Sequence, residues 1–223
     1  MRIVLHRQPE IEVVDSDGVV GVYMDNDCQG RAKVTDGIIR PISPFYDLIT
    51  CFIGCLEEKP GNILYLGGGA CIVPTFLQQT YGIGGTVVEP SEFMQRIAID
   101  TFRFDKRFFD VSSLSGIEFL RSSDRRYDVI LLDAFDGFTP DEQLYSWQGY
   151  QLCKDHLNDS GLLLTNYISS SVAAVQLHGS CLGSVFNEYG GSGIKGTVPH
   201  QAVMWARKLP LTLTRKDWTR TIA

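Results

Sequence analysis

Residues 63–69 read Ile-Leu-Tyr-Leu-Gly-Gly-Gly, an apolar run that ends in three consecutive glycines. Such a run is typical of a buried parallel strand, and glycines after it let the backbone turn tightly beside a ligand. A second apolar run ends in Val-Val-Glu-Pro at residues 87–90, where an acid can accept hydrogen bonds from both hydroxyls of a ribose. The two motifs predict a nucleotide-type cofactor site. Because Ile72 replaces the third glycine of the dinucleotide fingerprint, a plain turn beside a surface acid stays open as the alternative.

Strand and helix patterns alternate after Pro60-Gly61. This alternation predicts right-handed crossovers and a mostly parallel sheet with helices on both faces. A turn or loop is expected at Gly190-Gly191-Ser192-Gly193, and the N-terminal cap of a helix at Thr139-Pro140-Asp141-Glu142. The predicted strands are 62–66, 84–88, 108–111, 127–132 and 160–168, with β-like runs at 185–189 and 201–207, and the predicted helices are 70–80, 91–101, 115–122, 141–157 and 171–182.

The first forty residues consist of short β-like runs separated by turn signals. Asp17-Gly18 and Asp36-Gly37 are strong hairpin signals. From Pro44, apolar residues recur with a helical period. We therefore predict a small antiparallel β-sheet subdomain over residues 1–43 and an α/β catalytic domain over residues 44–223.

Composition limits the classes of function. The 223 residues are 44% hydrophobic and 21% charged, as in globular proteins, and the net charge is −6. That charge argues against a nucleic-acid partner and suits a cationic amine substrate. No apolar run has the roughly eighteen residues of a membrane span, and the N-terminus lacks a signal-peptide pattern, so we expect a cytoplasmic protein without membrane association. The six cysteines have neither Cys-x-x-Cys spacing nor a neighbouring His cluster, so no metal site is predicted.

Two carboxylates follow the predicted strand 127–132, namely Asp133 and Asp136. Ligands of parallel sheets bind outside the carboxyl ends of the strands, so both acids are expected at the same cleft as the glycines. A carboxylate there can hold a cationic amine and take its proton as the amine attacks an electrophile. The structural alternative is that Asp133 caps a turn and that Asp136-Gly137 forms one.

Five motifs, in this order, resemble the spermidine synthase-like branch of class I S-adenosylmethionine-dependent transferases. The first two are the glycine motif at 67–69 and Val-Val-Glu-Pro at 87–90. The other three are Gly-Ile-Glu-Phe-Leu at 116–120, Tyr-Asp-Val-Ile-Leu-Leu-Asp-Ala-Phe-Asp at 127–136 and Leu-Asn-Asp-Ser-Gly-Leu-Leu-Leu at 157–164. The resemblance implies a Rossmann-like class I methyltransferase sheet of about seven strands, preceded by a small antiparallel β-sheet. It also implies a homodimer, which would protect free strand edges.

The resemblance further implies roles for individual residues. Gly67, Gly68 and Gly69 would line the sulfonium and amino-acid part of the cofactor, and Glu89 would bind its ribose. Asp133 would lie beside the cofactor, where it would orient and deprotonate the acceptor amine.

Other positions match the family more loosely. Asp136 would be a second contact for the amine. Gln29 corresponds to a glutamine near the cofactor, and Tyr46 to a tyrosine that helps to close the pocket. Ser115 and Gly116 stand where the family has an Asp-Gly pair whose acid binds the adenine amino group.

One departure from the family pattern favours the intact cofactor over the decarboxylated one. Ala70-Cys71 replaces an Asp-Gly pair whose acid, in aminopropyltransferases, holds the terminal amine of decarboxylated S-adenosylmethionine. Because like charges repel in a dry pocket, the absence of that acid favours the intact cofactor, with the glycine amides and the following helix N-terminus facing its carboxylate. The sequence therefore predicts an S-adenosylmethionine-dependent transferase that methylates an amine-bearing small molecule.

Three alternatives remain. The first is a polyamine aminopropyltransferase that uses decarboxylated S-adenosylmethionine, and the second is a non-catalytic relative that keeps the pocket. The third is a nicotinamide-dependent oxidoreductase, which the missing third glycine disfavours. The acceptor is not readable from the sequence, because loops expected at 134–146 and 189–199 would select it.

Overall fold

The computed structural model describes residues 2–25, 27–194 and 200–209. Its N-terminal part is a five-stranded antiparallel sheet in sequential order. Asp17 and Gly18 have φ of 55° and 82°, and Asp36 and Gly37 have φ of 52° and 80°, as tight two-residue hairpins require. The predicted small sheet is confirmed. Its strands are β1 (Arg2–Arg7), β2 (Ile11–Ser16), β3 (Val19–Met24), β4 (Asp27–Thr35) and β5 (Ile38–Pro41).

The other described residues form a seven-stranded sheet with helices on both faces, which confirms the predicted fold class. Its order is β13-β14-β12-β9-β6-β7-β8; the last five strands are parallel, and β14 runs antiparallel to both of its neighbours, β12 and β13. The elements are α1 (Pro44–Gly54), β6 (Ile63–Leu66), α2 (Ile72–Tyr81), β7 (Gly85–Val88), α3 (Glu92–Asp100), a 3-10 turn (Lys106–Phe108), β8 (Phe109–Ser112), α4 (Gly116–Ser122), β9 (Tyr127–Leu132), β10 (Phe135–Asp136), β11 (Thr139–Pro140), α5 (Trp147–Asp155), β12 (Leu157–Ser169), α6 (Val172–Val185), β13 (Glu188–Ile194) and β14 (His200–Arg207).

Strand order reverses between β6 and β9. The chain lays β7 and β8 on one side of β6 and then returns to place β9 on the other side. Loops at such a reversal diverge and leave a crevice at the carboxyl ends of the strands. Gly67 and Asp133 directly follow the two strands that flank this crevice.

The core lies on both faces of the large sheet. One apolar cluster packs β9 side chains such as Ile130 and Leu132 against α4, α5 and α6. A second packs Val129 and Leu131 against α1 and α2. Because strand side chains alternate, the residue after Leu132 continues the face that α1 covers.

The small sheet packs on α2 and α3 through a third cluster, which includes Val22, Ile39, Ile72 and Ile97. The Gln79 side chain ties α2 to the hairpin, because its Oε1 accepts from Ile39 N at 2.9 Å and its Nε2 donates to Gly37 O at 3.0 Å. A boundary between two domains at residue 43 stays a prediction.

The turn or loop predicted at residues 190–193 is wrong, since these residues lie inside β13. Gly190 pairs with Trp205 across the sheet, and a Cβ on Gly190 would be 2.9 Å from the indole nitrogen. A large side chain on β14 therefore occupies the space above a bare backbone, which explains how a glycine-rich segment forms a strand. The expected loop over 189–199 is thus a strand as far as Ile194, and residues 195–199 lie outside the described part.

The helix cap predicted at residues 139–142 is also wrong. Thr139 and Pro140 form β11 of a short hairpin with β10. Asp141 caps only a single turn, because its Oδ1 accepts from Gln143 N and Leu144 N at 2.9 and 3.0 Å. Helix α5 begins at Trp147, where Ser146 Oγ accepts from Gly149 N at 3.1 Å.

Among the described residues, no helix combines the length and the apolar character needed to cross a membrane. The longest of them, α6, has 14 residues. Within the same ranges, no three His, Cys, Asp or Glu side chains are grouped as metal ligands.

Candidate functional site

The glycine turn after β6 is packed too tightly for side chains. Gly67 has φ of 87°, and a Cβ there would lie 2.2 Å from the carbonyl oxygen of Asp133. A Cβ on Gly68 would be 2.4 Å from Val87 Cγ1. The turn therefore brings the end of β6 against the ends of both neighbouring strands, β9 and β7.

The amides of all three glycines donate within the protein. Gly67 N and Gly68 N donate to Val88 O at 3.0 and 3.1 Å, and Gly69 N donates to Glu89 Oε2 at 2.6 Å. The expectation that these amides face a cofactor carboxylate is wrong in this arrangement, because each already has an acceptor. The sequence identifies a glycine turn but not the acceptors of its amides.

Glu89 is held by the backbone on both oxygens. Besides the bond from Gly69, its Oε1 accepts from Ser91 N at 2.8 Å, and the residue is 7% exposed. Burial raises the pKa of Glu89, while the bonds from Ser91 and Gly69 oppose that rise. Each carboxylate oxygen can accept a second hydrogen bond, so both hydroxyls of a ribose fit without displacing the backbone. Its role as the ribose ligand stays a prediction.

Asp133 lies at the crevice between β6 and β9. Its backbone N–H donates to Leu66 O at 2.8 Å, and its Oδ1 accepts from Asn166 Nδ2 at 2.8 Å. Burial raises the pKa of Asp133 to about 6, although the bond from Asn166 opposes the rise. A half-buried carboxylate with a pKa near neutrality suits a general base.

Tyr46 joins the small sheet to this crevice. A Cβ on Gly30 would lie 2.9 Å from the Tyr46 hydroxyl, so the phenol covers β4 at that glycine. Burial and the nearby charge of Asp133 raise the pKa of Tyr46. Gln29 precedes Gly30 on β4, where its Nε2 donates to Asp27 O over 3.4 Å. The structure thus places Tyr46 close to Asp133. The position of Gln29 near the cofactor and the pocket-closing role of Tyr46 stay predictions.

Asp136 differs from Asp133 in its surroundings. It is exposed on β10. The neighbouring Gly137 lies near the end of β3, because a Cβ built on Gly137 would be 3.8 Å from Met24 Sδ. Its predicted contact with an amine stays a prediction.

Ser115 has a structural task. Its Oγ accepts from Glu118 N at 3.4 Å and donates to Glu118 Oε2 at 2.6 Å, which with the bond from Ser115 N forms a capping box for α4. A Cβ on Gly116 would be 2.6 Å from Leu144 Cδ1. Binding of adenine at Ser115 stays a prediction, and it would rely on the remaining lone pair of this hydroxyl.

Three polar residues at the site were missed by the sequence analysis. Asn166 donates to Asp133, Gln201 Nε2 donates to Asn166 Oδ1 at 2.8 Å, and Tyr145 Oη donates to Asn166 O at 2.7 Å. The signal that identifies Asn166 is a polar residue shortly after the apolar run at 162–164. The contact of Gln201 depends on a distant antiparallel strand and has no local signal.

Substitution of Gly67 by alanine is expected to lower the free energy of unfolding by about 3 kcal/mol or more, because it combines an unfavourable φ with a clash against Asp133 backbone. Gly37→Ala is the matched control, since Gly37 also has a positive φ but nothing lies within 4 Å of a Cβ there. Urea denaturation of both variants measures the difference. Equal losses would show that the packing against Asp133 carries no energetic cost.

The sequence is similar to a known family and to individual proteins. Residues 44–176 match the family described as "Spermine/spermidine synthase domain". Polyamine aminopropyltransferase 1 of Pseudomonas aeruginosa is 26% identical over 157 residues, which are 65% of this chain and 54% of the relative. Polyamine aminopropyltransferase of Clostridioides difficile is 34% identical over 164 residues, or 63% of this chain and 53% of the relative. The chain spans about half the length of the curated relatives it matches.

A solved structure shares the whole architecture. The probable spermidine synthase of Corynebacterium glutamicum superposes with a TM-score of 0.79 at 15% identity, covering 95% of this chain and 81% of that one. At this identity the match supports the fold alone. It includes the small N-terminal sheet as well as the large one, since so much of the chain is covered.

Proposed function

Because the chain belongs to the spermine/spermidine synthase family, we propose that it transfers an aminopropyl group from decarboxylated S-adenosylmethionine to the amine of a small polyamine acceptor. The curated relatives are named polyamine aminopropyltransferases, which favours this activity over the methylation expected from the sequence. The observation that carries the proposal is the half-buried Asp133, with a pKa of about 6, at the reversal of strand order.

The nucleoside part of this cofactor fits the residues present. Glu89 keeps one acceptor position on each oxygen for the ribose hydroxyls. Because Gly67 and Gly68 have no side chains, the turn packs directly against the ends of β9 and β7 beside the crevice. When bound, the cofactor supplies a carbon made electrophilic by a neighbouring sulfonium.

The protein's own groups supply alignment and a proton acceptor. An amine arrives largely as an ammonium ion, which the ionised Asp133 attracts and from which it takes a proton. Asn166 holds the same carboxylate by a charge-assisted hydrogen bond. Tyr46 stays neutral, since burial raises its pKa, and its hydroxyl closes the side formed by β4. Alignment of two bound reactants is a large part of the rate enhancement in such displacements.

A second candidate is methyl transfer from intact S-adenosylmethionine, and Ala70 is the observation that favours it. Ala70 is 7% exposed and packs in the cluster between the small sheet and α2. It offers no charge to the terminal amine of a decarboxylated cofactor. However, the amides of the three glycines already donate to protein acceptors, so they do not support binding of the carboxylate of intact S-adenosylmethionine at the glycine turn.

Mass spectrometry of the nucleoside product separates these activities. We expect methylthioadenosine when the protein is incubated with decarboxylated S-adenosylmethionine and a diamine such as putrescine, and no product when either is omitted. S-adenosylhomocysteine formed from the intact cofactor and an amine would establish the second candidate instead. No nucleoside product from either cofactor would indicate a non-catalytic relative. The predicted homodimer and the cytoplasmic location stay predictions.

A further inference from the structure

Polar side chains near one edge of the large sheet form a row across β9, β12 and β14, in which Gln201 pairs with Ile168 and reaches Asn166 diagonally. On the sheet face covered by α1, the side chains of β9, β12 and β14 are apolar in the middle of the sheet. Towards the carboxyl ends of the parallel strands, the apolar residues of each of the three strands are followed on this face by a polar residue. On β9 the apolar residues are Val129 and Leu131, on β12 they are Leu162 and Leu164, and on β14 they are Val203 and Trp205. The next residues on that face, by strand alternation, are Asp133, Asn166 and Gln201.

Hydrogen bonds connect this row in one direction. Gln201 Nε2 donates to Asn166 Oδ1 at 2.8 Å, and Asn166 Nδ2 donates to Asp133 Oδ1 at 2.8 Å. An asparagine amide accepts on its oxygen and donates on its nitrogen. With Gln201 donating to its oxygen, Asn166 presents its nitrogen to Asp133, and reversal of the Asn166 amide would break both bonds.

The backbone around the row is also fixed. Tyr145 Oη donates to Asn166 O at 2.7 Å and lies 3.3 Å from Leu132 O, so one hydroxyl holds the ends of β12 and β9 together. Asn166 is 4% exposed and Tyr145 is 8% exposed. A buried amide with both ends bonded cannot rotate freely, because an unpaired polar atom in this surrounding is costly.

We propose that Gln201 and Asn166 are positioning residues for Asp133: Gln201 orients the Asn166 amide, and Asn166 in turn holds the Asp133 carboxylate ionised and aimed at the acceptor amine. This inference rests on the proposed function only for its last step. It extends the site beyond residues 44–176, the part that matches the family, to the antiparallel strand β14.

Other groups near Asp133 are expected to leave its titration unchanged. Tyr46 from α1 and Tyr145 from the segment before α5 are both electrostatically coupled to Asp133, and burial raises the pKa of each phenol. Cys28 on β4 is coupled to Tyr46, and burial raises the pKa of its thiol. These groups stay neutral where Asp133 titrates, and the nearby Asp136 is exposed on β10.

The test measures the titration of Asp133 directly. Carboxyl carbons of aspartate are followed by NMR against pH in the wild type, in Gln201→Met and in Asn166→Leu, and Asp133→Asn identifies the signal. Loss of the donor disfavours the charged form, so the Asp133 midpoint is expected to rise by about one pH unit in Asn166→Leu and by less in Gln201→Met. Gln151→Met is the matched control, because Gln151 donates instead to Asp155 on α5, and it should leave the midpoint unchanged.

Kinetics provide the second measurement. The acidic limb of kcat/KM is expected to move to higher pH with the NMR midpoint, while the dissociation constant of the cofactor stays within about twofold, since Glu89 is not altered. An unchanged Asp133 midpoint in both variants would overturn the positioning role, and so would a shifted midpoint without a shifted limb. If the midpoint shifts but no form of the protein, including the wild type, transfers an aminopropyl group, the orienting hydrogen bonds are supported and the proposed function fails.

Discussion

Asp133→Asn is expected to slow aminopropyl transfer by about 10²- to 10⁴-fold, the range that loss of a general base produces. An asparagine keeps the shape of the side chain and can still contact Asn166, but it cannot take a proton from the amine. The dissociation constant of the cofactor should change little, because Glu89 and the glycine turn are untouched. Steady-state kinetics and calorimetry on the same preparation measure the two effects separately.

The pH dependence of the wild type follows from the same carboxylate. Only ionised Asp133 accepts a proton, so kcat/KM should rise as pH increases through about 6 and then level off. Because burial disfavours the charged form, the neutral amide introduced by Asp133→Asn should leave the thermal midpoint equal to that of the wild type or higher. Asp124→Asn makes the same chemical change in an exposed segment before β9 and should keep full activity. Wild-type rates in Asp133→Asn would eliminate Asp133 as the base.

Glu89→Gln is expected to weaken cofactor binding by about 10²-fold or more, since hydrogen bonds to a charged acceptor contribute roughly 1.5 to 3 kcal/mol each. The carboxylate has two accepting oxygens, and Gly69 N and Ser91 N each donate to a different one. A glutamine has only one accepting atom there, so its NH₂ group would face a backbone N–H. The ribose would lose an acceptor, and the turn that carries the glycines would lose a restraint.

The matched control for this variant is Glu92→Gln. Glu92 begins α3 three residues further along the chain and is exposed, so the same change there should leave cofactor binding intact. Isothermal calorimetry with decarboxylated S-adenosylmethionine gives the affinities. Wild-type affinity in Glu89→Gln would show that the ribose is bound elsewhere.

The architecture was predictable because buried parallel strands have a simple sequence pattern, a short run of mainly apolar residues. Largely apolar runs such as Tyr127–Leu132 predicted β6, β7, β8 and β9 to within one residue. The antiparallel strand β13 was predicted at residues 185–189 but is Glu188–Ile194. Since the carboxyl ends of parallel strands share one edge, Gly67, Glu89 and Asp133 could be expected near one crevice from the strand pattern alone. These expectations depend on local pattern and on topology rules, which a single sequence contains.

Other features depend on contacts between distant segments. Gln201 meets Asn166 only because β14 inserts antiparallel beside β12. The acceptors of the glycine amides depend on how β7 sits against β6, and this overturned one argument for an intact cofactor. The turn signal at residues 190–193 was overridden by pairing with β14, where Trp205 and Met204 fill the space above Gly190 and Gly191.

The pairing of Gly190 with Trp205 links two positions in sequence evolution. The indole ring occupies the volume that any side chain at position 190 would need, with ring atoms at 2.9 to 3.0 Å from the site of a Cβ. Trp205 also packs against the apolar cluster under α1, so it cannot simply move aside. A homologue that acquires a side chain at 190 must therefore lose the indole at 205, and the two residues should be inherited or exchanged as a pair.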